Sequence, residues 1–127
     1  MIRTAIAATV LAVALTGAAP LAQDHSDRAL GEALAGLTAG AAQECIHPER
    51  ITDIRTFENS ILYVEGRNKV WRSDTTPGCH ALAMGDPITT RGTGSRYCAG
   101  DLVQTHAAVG GQLTGTCTLG KFVPYSK

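Results

Sequence analysis

SILYVEGRNKVWRS, residues 60–73, decides the fold class of this chain. Ile61 to Val64 is a compact run of apolar and aromatic residues, the composition of a strand buried on both faces. Gly66-Arg67-Asn68-Lys69 is polar and turn-like, and Val70-Trp71-Arg72 opens a second strand. Two strand-forming runs joined by such a turn predict a β-hairpin over 60–73.

Outward from the hairpin the same texture continues. Ile51 to Phe57, Pro87 to Thr90 and Leu102 to Ala108 read as short strands, and Leu113 to Val123 holds the final strand or strands. Turn signals separate them at Thr76-Pro77-Gly78, Gly92-Thr93-Gly94-Ser95 and Gly110-Gly111. This pattern predicts a mainly β fold, a small antiparallel sheet, barrel or sandwich, over residues 45–127. Residues 23–44 differ. Leu30, Leu34, Leu37 and Ala41 recur at helical spacing, and Ser26 or Asp27 stands where a cap is wanted. Gly31, Gly36 and Gly40 each weaken that helix by close to 1 kcal/mol. The segment reads as a weak helix or a mobile arm.

The first residues have the three zones of a signal peptide. Arg3 supplies the positive charge, Ala5 to Leu15 the apolar run, and Thr16 to Ala22 a small-residue zone with a proline. The apolar run is about half the roughly 20 residues that a membrane crossing needs. Residues 1–22 are therefore expected to be removed, with the cut after Ala22 preferred over Ala19. With no cysteine before Cys45, a lipid anchor at the cleavage zone is not expected. The expected location is the periplasm or the exterior.

The chain carries 11 basic and 11 acidic residues. Loss of Arg3 leaves a mature charge near −1, which disfavours nucleic-acid binding and a basic membrane-lying surface. Four cysteines, Cys45, Cys79, Cys98 and Cys117, all fall in the mature part. In an exported small domain an even set reads as two disulfides, with three pairings open. The preferred pairing is nested, Cys45–Cys117 with Cys79–Cys98, on the premise that the first and last strands are neighbours. The inner bridge would close a loop of about 20 residues, worth roughly 3 kcal/mol. Neither a zinc spacing nor Cys-x-x-Cys is present, so no metal and no cofactor are expected.

Catalytic motifs are equally scarce. Gly92-Thr93-Gly94 starts like a phosphate loop, but Tyr97 and the absence of a following helical pattern make it a turn. His25, His47, His80 and His106 are widely spread, and Ser60, Ser73 and Ser95 lack a nucleophile context. Glu58, Glu65, Asp86 and Asp101 are the carboxylates that would serve acid–base chemistry if two met in a cleft. Gly85-Asp86-Pro87 and Gly100-Asp101 read instead as turn chemistry. The most individual feature is the hairpin itself. Tyr63, Arg67, Lys69, Trp71 and Arg72 combine aromatic and cationic groups as interface hot spots do.

The motifs Cys45…Ile51, Asn59 to Val64, Gly66-Arg67, Val70-Trp71-Arg72, Cys79-His80-Ala81-Leu82, Cys98-Ala99-Gly100-Asp101 and Cys117 to Pro124 resemble a group of small exported proteins. These are Gram-negative bacterial proteins that carry a domain of unknown function. The resemblance spans Cys45 to Tyr125 and implies a periplasmic, disulfide-held β domain. It implies no activity. The expected function is a non-enzymatic binding or structural module with a protein partner in the cell envelope. The alternatives are an inhibitor of an envelope or host hydrolase, acting through residues 62–72, and a small hydrolase.

Overall fold

The computed structural model describes residues 21–127. The expected leader lies outside the described residues except for Leu21 and Ala22, which open the helix α1 (Leu21–Leu34). Ten short strands follow. They are β1 (Thr38–Ala39), β2 (Cys45–Ile46), β3 (Asp53–Phe57), β4 (Ser60–Glu65), β5 (Lys69–Asp74), β6 (Ile88–Arg91), β7 (Tyr97–Cys98), β8 (Leu102–His106), β9 (Leu113–Thr118) and β10 (Phe122–Ser126). They form an antiparallel five-stranded sheet in the order β1-β10-β5-β4-β3, a three-stranded sheet β6-β8-β9, and the pair β2-β7. The fold is mainly β, with two disulfides, as the sequence predicts.

The hairpin of β4 and β5 lies inside the larger sheet, and its central strand is buried on both faces. Tyr63 stands opposite Trp71 and Ile61 opposite Ser73 on the inner face, with Phe122 beside Ser73 on β10. These residues meet Ile46, Leu82, Val103, Leu119 and the sulfurs of Cys79 and Cys117 in one core. Tyr63 packs against Tyr97 and Phe122 with ring centroids 5.8 and 5.7 Å apart, the tilted and edge-on arrangements that aromatic quadrupoles favour. On the outer face Leu62 is 1% exposed because Leu30 of α1 and Phe57 of β3 cover it, with Ala33, Leu34 and Val70 at the margin. Burying those side chains is what holds α1 in place, since each contributes about 2 kcal/mol on removal from water.

Only the first half of the expected helical stripe is helical. Leu30 and Leu34 lie on α1, but Gly36 at φ 77° turns the chain out of the helix. Residues 38–43 then run extended along β10, where Gly40 N–H donates to Pro124 O and Gln43 exchanges two bonds with Phe122. Backbone pairing with β10 replaces a helix that its glycines had already weakened. Ser26 is inside α1 and does not cap it. Its Oγ accepts the Glu58 N–H at 2.7 Å and ties α1 to the β3–β4 turn.

The disulfides are Cys45–Cys98 and Cys79–Cys117, not the nested pairs expected from the sequence. The first and last strands, β1 and β10, are neighbours, but neither carries a cysteine. Cys45 pairs across β2–β7 with Cys98, their Cα atoms 4.0 Å apart. Residues 113–123 hold β9 and the start of β10, and Cys117 sits on β9 of the smaller sheet. Cys79 reaches it because residues 76–78 lie along β9. Thr76 N–H donates to Thr118 O, and Thr116 N–H donates to Gly78 O. That approach needs glycine on both segments. A Cβ on Gly115 would stand 2.5 Å from Gly78 O, and Gly78 itself has φ 126°. The loops between paired cysteines span 53 and 38 residues, each worth about 4 kcal/mol in the chain-entropy account if taken singly. Two disulfides suit an oxidising, extracytoplasmic setting. No helix among the described residues is long and apolar enough to cross a membrane.

Tyr63 is wholly buried, and its hydroxyl has no hydrogen-bond partner. Burial pushes its phenol well above the ordinary value of 10.0, and Tyr97 and Asp101 push the same way. The Thr90 side chain eases ionisation slightly without the geometry of a hydrogen bond. A folded-state pKa above the unfolded one contributes stability that is complete below pH 10 and lost as pH rises further. Tyr63→Phe is therefore expected to gain about 1 kcal/mol at neutral pH by removing an unsatisfied buried hydroxyl. It should also flatten the alkaline loss, whose slope approaches about 1.4 kcal/mol per pH unit in the wild type. Urea denaturation from pH 7 to 11 measures both.

Candidate functional site

A cleft of about 260 Å³ opens where β2, the start of β5 and the approach to β7 meet. Three larger hollows on the surface are more open to solvent. The cleft stands out by its chemistry. Each wall is delivered by a separate local rule. The β2–β7 register sets Ile46 opposite Tyr97, which places His47 and Arg96 at one end of that pair. Pro48 then starts a single 3-10 turn, closed by Arg50 N–H on His47 O and Ile51 N–H on Pro48 O, and this turn brings Arg50 round to the cleft. Across the β4–β5 turn, Glu65 and Lys69 stand opposite each other.

The site is electropositive. Arg50, Lys69 and Arg96 line it together with His47, against a single carboxylate, Glu65. Among the described residues the ion pairs are Arg72–Asp74 and Lys121–Glu44, and His47 Nδ1 lies 3.2 Å from Glu49 Oε1, so Arg50, Lys69 and Arg96 have no carboxylate within 4.0 Å. Glu65 is committed elsewhere, since its Oε2 accepts the Trp71 Nε1–H at 2.7 Å. Lys69 Nζ lies 5.0 Å from the centre of the Trp71 ring, a cation–π contact rather than an ion pair. Trp71 is 6% exposed, with its body in the core and its polar edge on the cleft. Cys45 lines the same cleft.

The five hairpin residues picked from sequence are thus dispersed. Tyr63 is in the core, Arg67 is exposed in the turn, and Lys69 and the edge of Trp71 face the cleft. Arg72 points to the opposite face, because adjacent residues of a strand alternate. There its Nε donates to Asp74 Oδ1 at 2.8 Å, and that bond holds the guanidinium above its ordinary pKa. A hairpin tip with exposed aromatics, as an inhibitory wedge would use, is not what these positions form. Arg50 and Arg96 were invisible as site residues. Each is an isolated arginine in sequence, and only the pairing of β2 with β7 brings them to one cleft.

Of the candidate catalytic groups, His47 and Glu65 share the cleft, where Glu65 is held by the Trp71 N–H; the others are dispersed. Asp101 Oδ2 accepts the Cys98 N–H at 2.8 Å, the local turn bond expected of it. Asp86 departs from that expectation, accepting the Thr114 hydroxyl at 3.0 Å across the sheet. Ser60 donates to Asp74 and Ser73 to Gly120 O, so both hydroxyls serve the fold. His106 Nδ1 meets Gly111 O, His80 is exposed at the start of a 3-10 turn, and His25 faces an apolar hollow beside Met84. None of the four hollows is lined by two carboxylates or two histidines.

Comparison with protein-family models, with curated proteins and with solved structures finds no match for this chain.

Trp71 is the only tryptophan, so its fluorescence reports on the cleft. Glu65→Ala leaves the indole N–H without its acceptor and is expected to cost about 1 kcal/mol and to shift the emission. Glu65→Gln, which keeps an acceptor oxygen, should retain most of both.

Proposed function

We propose that this chain is exported by its N-terminal leader and works outside the cytoplasm as a disulfide-stapled binding domain. Its ligand presents an acidic group to the cleft of Arg50, Lys69 and Arg96. One observation carries the reading: three basic side chains, with no carboxylate partner among the described residues, line one cavity in a domain whose mature charge is close to neutral. Uncompensated like charges in one cleft repel one another, and an incoming carboxylate, sulfate or phosphate relieves that repulsion and gains charge-assisted hydrogen bonds. The buried Ile46 and the Trp71 edge line the cleft beside the cations and give a bound group a fixed wall to rest against. The even set of disulfides, the leader-like residues 1–22 and the likeness to small exported bacterial proteins support the extracytoplasmic location. The partner class that fits is a protein segment or small molecule of the envelope carrying carboxylates.

Two measurements test this. The intact mass of protein recovered from the periplasm or medium is expected to correspond to a chain beginning at Gln23, with every cysteine resistant to alkylation until reduced. A mass that includes residues 1–22 removes the export reading. Titration of a hexaglutamate peptide against Trp71 emission is expected to saturate at low salt and to weaken as salt screens the charges. Arg50→Gln and Arg96→Gln should each weaken binding by about 1 kcal/mol, roughly fivefold. Absence of any saturable, charge-dependent response would overturn the site.

A further inference from the structure

The two disulfides sit in unlike surroundings. Cys79 and Cys117 are 2% and 3% exposed and belong to the core. Cys45 and Cys98 are half-buried, and Cys45 lines the cationic cleft. A disulfide opens when a thiolate reaches one of its sulfurs, so solvent access and local charge govern which bridge reacts. We propose that Cys45–Cys98 is a thiol-exchange site, modified at Cys45 by small anionic thiols that the cleft attracts.

The exchange balances with the thiol as reductant. Its thiolate sulfur attacks Cys45 Sγ and forms a new S–S bond. The Cys45–Cys98 bond breaks, and its electron pair leaves on Cys98 Sγ, which takes a proton from water. A second thiolate attacks the small-molecule sulfur of this mixed disulfide, frees Cys45 as a thiol after protonation, and releases the oxidised low-molecular-weight disulfide. Two thiols are oxidised and one protein disulfide is reduced.

Arg50, Lys69 and Arg96 act on delivery of the attacker. They raise the local concentration of an anionic thiolate beside Cys45. On the Cys98 side the backbone N–H donates to the Asp101 carboxylate at 2.8 Å, which places a negative charge on that arm of the bridge. The consequence is local. The β2–β7 pair spans only two residues on each strand, so losing its cross-link loosens the wall that carries His47 and Arg96. Cys79–Cys117 continues to staple the core. The proposal shares with the proposed function the electropositive cleft, but it requires no saturable ligand, and which bridge opens first is read separately from peptide binding.

The test exposes the oxidised full-length mature protein to mercaptoethanesulfonate or to neutral mercaptoethanol at equal thiolate concentration. Samples are quenched by alkylation and mapped by peptide mass. With both thiols Cys45 and Cys98 are expected to react first, with the adduct on Cys45 and Cys79–Cys117 intact. The sulfonate thiol is expected to react about tenfold faster at low salt. That advantage should vanish at high salt and in the Arg50→Gln/Arg96→Gln variant. Opening of Cys79–Cys117 first or together with Cys45–Cys98, an adduct on Cys98, or equal rates for the two thiols at low salt would each overturn the proposal. The salt comparison decides on wild-type protein if the double variant does not fold.

Discussion

Everything in this domain is arranged around one strand that must be covered twice. β4 places Ile61 and Tyr63 on one face and Leu62 on the other, and all three are at most 1% exposed. The inner residues require the smaller sheet to close over them. The outer one requires α1 and Phe57. A small domain buries a limited fraction of its surface, so it depends on staples to offset chain entropy. The two disulfides meet that need differently. Cys79–Cys117 ties the loop after β5 to β9 inside the core, whereas Cys45–Cys98 closes a two-residue strand pair at the rim.

The cleft follows from that arrangement. Trp71 has to enter the core because Tyr63 is its partner across the strands, yet its N–H must find an acceptor, and Glu65 at the end of the same hairpin supplies it. With Glu65 occupied, the cations around it have no internal carboxylate. The electropositive character of the site is thus a by-product of satisfying a buried indole, and it is available to an acidic group from outside. The same charge bears on the reactivity of Cys45, which shares the wall.

Much of the fold was legible from residues 60–73 outward. Alternation, turn residues and apolar runs marked the hairpin and the strands at 51–57, 87–90, 102–108 and 113–123, because these signals are local and the backbone obeys them. The short elements were not legible. β1 and β2 span two residues each, and the 3-10 turn His80–Met84 carries no periodic signature, so their positions depend on pairing partners elsewhere in the chain. The hairpin was also read as one aromatic–cationic patch, although strand alternation sends Trp71 and Arg72 to opposite faces.

By itself, then, the sequence determined a mainly β domain with paired cysteines, since composition and period-two patterning suffice for that. Only the tertiary structure decided which cysteines join and which cations share a cleft. Both depend on contacts between residues far apart in the chain. The Gly78–Gly115 crossing delivers Cys79 to Cys117, and the β2–β7 register brings Arg50 and Arg96 together. No local pattern encodes such a meeting, because the residues concerned acquire a common neighbourhood only when the sheets close around β4.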